Sequence, residues 1–419
     1  MMAWNDILEE INHCNKCGFC LPTCPTYQIT GNELASPRGR IAMVEALARE
    51  EITVGNGLDE ALSYCLDCRA CETACPSGVQ YHKILEAGRQ RLWSERPASR
   101  TYPWVVRQAL NTVTRPKRLA RMTWVARRLK KLPLPRALKQ FTPMLAHTAP
   151  LPSPLPDVPA PQHAVHFFEG CIMSAVFPEA NQSARYLLQT CHVAVSSPQG
   201  QTCCGALHWH AGEIDTAKKL AKQNIAAFEV GSDFIVNTAG GCGATLQEYK
   251  HLLADEPLWA ERAERFSQRV KDWSTVFLAY GGTVSLEGQG EHVTLQNSCH
   301  LVNVEKAGDD AVAVLERVNN QAFTPLRSQN MCCGSAGTYN LEHTEWSLKI
   351  LDQKMDEVDS MGPDRILVNN PGCHLQMQWG TTRRPSTAAV VVEHLATYLY
   401  RAAKTAYNSS KQLDSGKVD

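Results

Sequence analysis

The sequence lacks most of the features that would let it do chemistry alone. No apolar run approaches the roughly 18 residues of a membrane span, and Met1 to Glu10 is too short and acidic for a secretory leader. Basic and acidic residues balance at 42 each, so no global charge draws the chain to nucleic acid. Gly281-Gly282 and Gly288-x-Gly290 miss the G-x-G-x-x-G spacing of a dinucleotide site. There is no Walker lysine and no His-Glu-x-x-His zinc-protease signature. Aromatic residues are only 7% of the chain. A cytoplasmic protein is expected, with a peripheral position on the inner face of the membrane as a variant of that reading. The Asn-x-Ser triplets at Asn181 and Asn408 then carry no meaning as glycosylation sites.

Cysteine is what the chain has in excess, with 17 in 419 residues. A reducing compartment keeps thiols free, so spaced cysteines there point to metal rather than to disulfides. Eight of them form two copies of one pattern. Cys14, Cys17, Cys20 and Cys24 are followed by Pro25; Cys65, Cys68, Cys71 and Cys75 are followed by Pro76. Three cysteines at intervals of three wrap one face of a [4Fe–4S] cluster, and the fourth ligates the other cluster of a pair. Cys14, Cys17, Cys20 and Cys75 are therefore assigned to one cluster, and Cys65, Cys68, Cys71 and Cys24 to the other. Zinc normally takes two Cys-x2-Cys pairs per ion and fits this spacing poorly. The proline after each run is expected to turn the chain away.

Around these runs the sequence reads as helical. Residues 3–13 and 58–64 have helical character, and Ile41, Val44, Leu47 and Ala48 recur at helical spacing. Arg38 and Arg40 either offset the negative charge of a thiolate-bound cluster or belong to a solvated basic turn. Residues 83–139 are strongly basic and carry Trp93, Trp104 and Trp124. Such a stretch suits an anionic membrane surface, an acidic partner or a solvated connector. Prolines at 150, 152, 154, 156, 159 and 161 then form a stiff linker.

An internal repeat follows. Strands are expected at 163–169, 192–196, 233–237, 292–296 and 365–368, with helices at 178–191, 213–230, 309–319 and 344–359 between them. Thirty-one residues separate Cys171 from Cys203, and 32 separate Cys299 from Cys332. Cys203-Cys204-Gly205 matches Cys332-Cys333-Gly334, and Cys242 matches Cys373. Strands alternating with helices imply parallel, doubly wound sheets, whose sites lie beyond the carboxyl ends of the strands. Cys171, Cys242, Cys299 and Cys373 all fall just after expected strands. A last strand and helix are expected within 386–401. The fold class is thus an α-helical two-cluster ferredoxin domain followed by two repeated α/β Cys-Cys-Gly domains. The expected boundaries are 1–95 (ferredoxin), 96–162 (basic segment and linker), 163–290 and 291–402 (repeats), and 403–419 (flexible tail).

These motifs together resemble the iron–sulfur subunits of bacterial glycolate oxidase (glycolate dehydrogenase). The resemblance runs through His13-Cys14, Cys24-Pro25-Thr26-Tyr27, Pro37-Arg38-Gly39-Arg40, Cys75-Pro76-Ser77-Gly78-Val79, Glu169-Gly170-Cys171, Gly241-Cys242-Gly243-Ala244 and Cys332-Cys333-Gly334-Ser335-Ala336-Gly337-Thr338-Tyr339. It implies an electron carrier. Flavin-binding subunits would oxidise glycolate to glyoxylate, and this chain would pass the electrons toward a membrane quinone pool or similar acceptor. The missing nucleotide motifs agree that hydride chemistry belongs to a partner. Related subunits serve lactate and glycerol-3-phosphate oxidation, and heterodisulfide reductases share the Cys-Cys-Gly repeat.

The repeats depart from the heterodisulfide pattern, which ends in Cys-x2-Cys; here Thr245 and Gln376 stand at the last positions. Four thiols remain in each: Cys171, Cys203, Cys204 and Cys242, then Cys299, Cys332, Cys333 and Cys373. Each quartet suffices for a further Fe–S cluster or for zinc. His208, His210, His300, His343 and His374 read as polar loop residues, with His300 and His374 beside cysteines the first to check. Cys191 reads as a buried small apolar residue.

Overall fold

The computed structural model describes residues 4–95 and 149–415, apart from Asn56, Asp157 and Ser232, together with isolated positions between 112 and 124. The basic stretch around Arg127, Arg128, Lys130 and Lys131 lies outside the described residues.

The first region is helical. Trp4–Asn12, Pro37–Ala48, Leu58–Ser63 and Tyr81–Glu95 are its main helices. Their apolar faces meet in one core of Ile7, Ile11, Ile41, Val44, Leu58, Leu62, Ile84 and Leu85, and Cys14, Cys20, Cys65 and Cys75 pack against its edge. Burying each such side chain contributes about 1.5–3 kcal/mol. Pro25 opens a helix, Pro25–Thr30, with Cys24 as its extended N-cap. Proline suits that first position because its missing N–H would be unpaired there anyway. The chain therefore turns at Cys24 by starting a helix. Pro76 enters a short turn instead.

Two four-stranded, fully parallel sheets follow. The first contains β1 (His163–Phe167), β2 (Val193–Ser196), β3 (Phe234–Asn237) and β4 (Val270–Asp272), in the order β2-β1-β3-β4. The second contains β5 (His292–Gln296), β6 (Ala322–Phe323), β7 (Arg365–Val368) and β8 (Val391–His394), in the order β6-β5-β7-β8. The repeat in the sequence is thus a repeat of topology. Ile366, Leu367 and Val368 of β7 are all fully buried, as befits a strand covered on both faces. One core runs through both repeats and includes Phe167, Val236, Trp273, Val293, Leu295, Leu367 and Tyr398. The short β4 and β6 were not legible in the sequence. The last helix, Leu395–Ser415, runs on through the stretch expected to be a tail. Ala402 and Ala403 are buried in the shared core and hold it there.

In each sheet the chain leaves the first strand for one side and returns on the other. That switch point lies between β1 and β3, and between β5 and β7. It is where such sheets gather ligands. Helices start there at Cys171, Gly240, Cys299 and Pro371.

Candidate metal centres

The two ferredoxin-type runs enclose two cavities. Cys14, Cys17, Cys20 and Cys75 line a cavity with about 430 Å³ of empty space, together with Cys71, Phe19, Arg38 and Tyr81. Cys24, Cys65, Cys68 and Cys71 line a second of about 300 Å³, together with Arg40, Leu66, Arg69 and Tyr81. The fourth cysteine of each run lines the cavity of the other run. Cys71 borders both. The linings are thiols, apolar and neutral polar groups and cations, the cations buried only at the second cavity (Arg40 and Arg69), with no carboxylate, which suits the donor chemistry of an Fe–S cluster.

Charge around the second cavity is arranged for anions. Arg40 is 1% exposed, so it is no solvated turn residue. Its Nε donates to the Ala61 carbonyl at 2.7 Å and its terminal nitrogen to Thr26 Oγ1 at 3.1 Å. Burial opposes its charge, but Cys65, Tyr81 and Cys24 around it raise its pKa above the ordinary range. Burial pushes the Cys71 thiol well up, and it does the same to Cys68, helped by neighbouring Cys299. Arg38 is more open. It pairs with Glu33 at 2.6 Å and donates to the Lys16 carbonyl at 3.1 Å.

Each repeat gathers its four cysteines at its switch point. In the first, Cys171 Sγ lies 3.5 Å from Cys203 Sγ, and Cys204 Sγ lies 3.5 Å from Cys242 Sγ. In the second, Cys333 Sγ lies 3.4 Å from Cys373 Sγ, with Cys332 and Cys299 as the other neighbouring thiols. Hydrogen bonding with the neighbouring thiols, Cys203 and Cys242 in one quartet and Cys332 and Cys373 in the other, holds Cys204 and Cys333 well below the usual thiol range. The glycine of Cys-Cys-Gly makes the bend. Gly334 has φ +89°, and a Cβ there would stand 2.7 Å from the Ser347 carbonyl. The thiols form rows of pairs; among the described residues no three His, Cys, Asp or Glu side chains surround a single point. The all-thiol donor set suits a soft ion or an Fe–S cluster.

The surroundings differ. Lys354 is 2% exposed beside the second quartet and donates to the Ser328 carbonyl at 2.6 Å. Burial lowers its pKa, against the pull of Cys333 and Cys332. Leu66, Cys332, Tyr339 and Ile350 form a small apolar cluster on which both Cys68 and Cys299 pack. The second quartet therefore adjoins the second ferredoxin cavity. Tyr64 stacks on Trp346 at 3.9 Å across the same junction.

The histidines separate into roles. His300 Nε2 lies 2.9 Å from the Asp67 carbonyl, so that nitrogen carries the proton. His210 Nδ1 lies 2.9 Å from Asp67 Oδ2, and His208 Nδ1 lies 2.8 Å from Glu213 Oε2. His374 is buried and stacks on Phe177 at 4.2 Å. His343 sits against Tyr64 and Tyr339. Cys191 is 2% exposed in the shared core, where burial pushes its thiol up to about 12.

Comparison with known proteins agrees with this architecture. The 4Fe-4S dicluster domain family matches residues 10–79, and the Cysteine-rich domain family matches residues 165–247 and 293–378. The chain is 39% identical to the "Probable glycolate oxidase iron-sulfur subunit" of Bacillus subtilis (strain 168), over 94% of each chain. It is 32% identical to the "Glycolate oxidase iron-sulfur subunit" of Escherichia coli (strain K12), over 87% of this chain and 89% of that one. The chain belongs to the glycolate oxidase iron–sulfur subunit family. "Lactate utilization protein A" of Bacillus licheniformis is 27% identical and matches only 56% of this chain, though 98% of its own length. Among solved structures, a "hypothetical protein from Helicobacter pylori" aligns with a TM-score of 0.50 at 9% identity, covering 96% of this chain and 77% of that one. That likeness concerns the fold alone. Among the described residues of this family member, no helix is long and apolar enough to cross a membrane.

What motif reading missed is the support behind the ligands. Asp67, Arg69, Arg89, Glu248 and Asn303 form a polar junction under the second run. Arg89, grouped with the basic segment by sequence, instead donates to the Cys65 carbonyl at 2.8 Å. The one local signal is at position 69, where the first run has Gly18 and the second has arginine.

Proposed function

We propose that the chain is the electron-transfer subunit of a flavin-dependent glycolate dehydrogenase (acceptor). In this reading it carries electrons from the oxidation of glycolate to glyoxylate toward a quinone-type acceptor. Cys14, Cys17, Cys20 and Cys75 hold one [4Fe–4S] cluster, and Cys65, Cys68, Cys71 and Cys24 hold the other. A bound cluster supplies one reversible electron at a potential set by its charge, hydrogen bonds and exposure. The observation that carries this reading is the division of eight cysteines between two cavities, with the fourth of each run crossing over. Arg40 offsets thiolate charge at the second cavity, and Leu66 and Tyr81 keep water from it. The flavin site belongs to partner subunits.

In the repeats we favour the second quartet, Cys299, Cys332, Cys333 and Cys373, as the place of a further cluster. Buried Lys354 and the contact with Cys68 support that choice. Cys171, Cys203, Cys204 and Cys242 form the lesser candidate, for a cluster or for zinc. Cys333→Ser should then remove more iron than Cys204→Ser. The basic segment suits a peripheral position at the cytoplasmic face of the membrane. Reversing Arg127, Arg128, Lys130 and Lys131 to Glu should reduce sedimentation with anionic vesicles, each charge being worth about 1 kcal/mol near the surface.

Glycolate is favoured over lactate because the glycolate relatives match nearly the whole chain. The test is dye-linked oxidation by the complete complex, purified without oxygen, on glycolate, lactate and glycerol 3-phosphate. Fastest reduction by glycolate is expected. Equal or faster turnover of another substrate would overturn the assignment.

A further inference from the structure

The two ferredoxin-type runs share a backbone course but not the means of keeping it. In each, the residues on either side of the middle cysteine have positive φ: Lys16 (52°) and Gly18 (89°) around Cys17, Asp67 (51°) and Arg69 (62°) around Cys68. Glycine takes such a conformation freely, whereas arginine is strained there and stays only if its surroundings hold it.

At Arg69 the surroundings come from both repeats. Its Nη1 donates to Glu248 Oε1 of the first repeat at 2.7 Å, and its Nε to Glu72 Oε2 at 3.0 Å. Arg69 is 7% exposed and Glu248 9%, so water screens the pair little. Asp67 is gripped by Arg89 and by His210 of the first repeat. His300 of the second repeat donates to its carbonyl. Asn303, also of the second repeat, donates to the Cys68 carbonyl at 2.8 Å and accepts from Thr73 Oγ1 at 3.0 Å. Among the described residues the Cys17 loop is tied within its own region: Arg38 donates to the Lys16 carbonyl at 3.1 Å, Asn15 donates to Ser77 Oγ at 2.9 Å, and Lys16 lies 3.8 Å from Glu45.

We propose that the two cysteine-rich repeats act as the mould for the ligand loop around Cys68, with Glu248 and Asn303 as its positioning residues. Glu248 keeps Arg69 in the left-handed conformation, and Asn303 fixes the carbonyl of Cys68 itself. Neither touches the cluster cavity: they act through the loop. This rests on the two-cluster reading above. It adds that one of the two clusters depends on the repeats and the other does not.

The test uses the full-length protein purified anaerobically with its iron, and its variants Glu248→Gln and Asn303→Asp. Each is close in shape to the original, so the fold is retained, and a thermal melt verifies this. Iron per chain, the electron paramagnetic resonance spectrum after reduction and the midpoint of each signal are read. Each variant should alter the line shape and midpoint of one ferredoxin-type signal, leave the other unmoved, and lose up to about half of the ferredoxin iron. The double variant Arg69→Gly/Glu248→Gln should recover the parent line shape, because glycine needs no partner to hold it. Unchanged signals in both single variants, or equal change in both signals, would overturn the proposal. A parent protein without iron would instead overturn the cluster reading itself.

Discussion

Cys17 and Cys68 occupy the same place in two copies of one pattern, yet their settings are opposite. Cys17 is exposed, and exposed Phe19 stands two residues away. Cys68 is half-buried where the helical region meets the second repeat, against Leu66, Cys332 and Tyr339. The first loop keeps its shape through a glycine and partners of its own region, Arg38, Ser77 and Glu45. The second relies on residues up to 235 positions away. Identical ligand spacing therefore specifies which atoms bind, and the surroundings decide how open and how rigid each site is. Hydrogen bonds and exposure tune an Fe–S potential, so clusters held as proposed should differ in potential while sharing chemistry.

The comparison can be broken most forcefully at the ligands. Cys17→Ala and Cys68→Ala should each abolish dye reduction by the complete complex, while stopped-flow spectra still show glycolate bleaching the partner flavin. Loss of flavin reduction in an assembled complex would contradict the division of labour. A smaller effect is expected at the arginines. Arg40→Met leaves the buried Ala61 carbonyl without its donor and should cost about 1–3 kcal/mol in urea unfolding. Arg38→Met removes a largely solvated pair and should move the urea midpoint less than Arg40→Met does.

A pH scan separates the exposed rim of the first cavity from the packed repeats. His394 is 2% exposed and ties β8 of the second repeat to the Thr238 carbonyl of the first at 2.9 Å. Its Nδ1 accepts from the Ala396 N–H, so the folded protein holds it neutral. Burial lowers its pKa to about 4 from an ordinary 6.5. The unfolded chain thus binds the proton first, and stability falls as pH drops from about 6.5 to about 4. The loss is on the order of 3 kcal/mol for this one group. His394→Asn should flatten that part of the urea midpoint against pH. The smallest difference is expected between the repeats. Both Gly205→Ala and Gly334→Ala force a left-handed alanine, at about 1–2 kcal/mol. Only Gly334→Ala also meets a carbonyl at 2.7 Å, the nearest atom at Gly205 being 3.5 Å away, so its melting temperature should fall further.

Local pattern made much of this legible. Cysteine spacing is a direct record of the candidate ligand sets, and β7 stood out because a buried parallel strand reads as a nearly continuous apolar run, Ile366-Leu367-Val368. The repeat in sequence became a repeat in strand order. The pairs β4 and β6 escaped because two or three residues carry no period. The helix Leu395–Ser415 outran its expected end because tertiary burial of Ala402 and Ala403, rather than local signal, extends it. Glu248 could not be matched to Arg69 by any local rule, since 179 positions separate them. Only the odd arginine in a glycine's place hinted that something distant was needed.

The central claim, that the fourth cysteine of each run serves the other run's cluster, is tested most directly in a Cys17→Ala background that has lost the first cluster. The resonance spectrum of the remaining cluster is recorded after adding Cys75→Ser or Cys24→Ser. Crossed ligation predicts that Cys75→Ser leaves the remaining signal unchanged and that Cys24→Ser alters or removes it. The reverse pattern, with Cys75→Ser perturbing the signal and Cys24→Ser leaving it intact, would contradict the account.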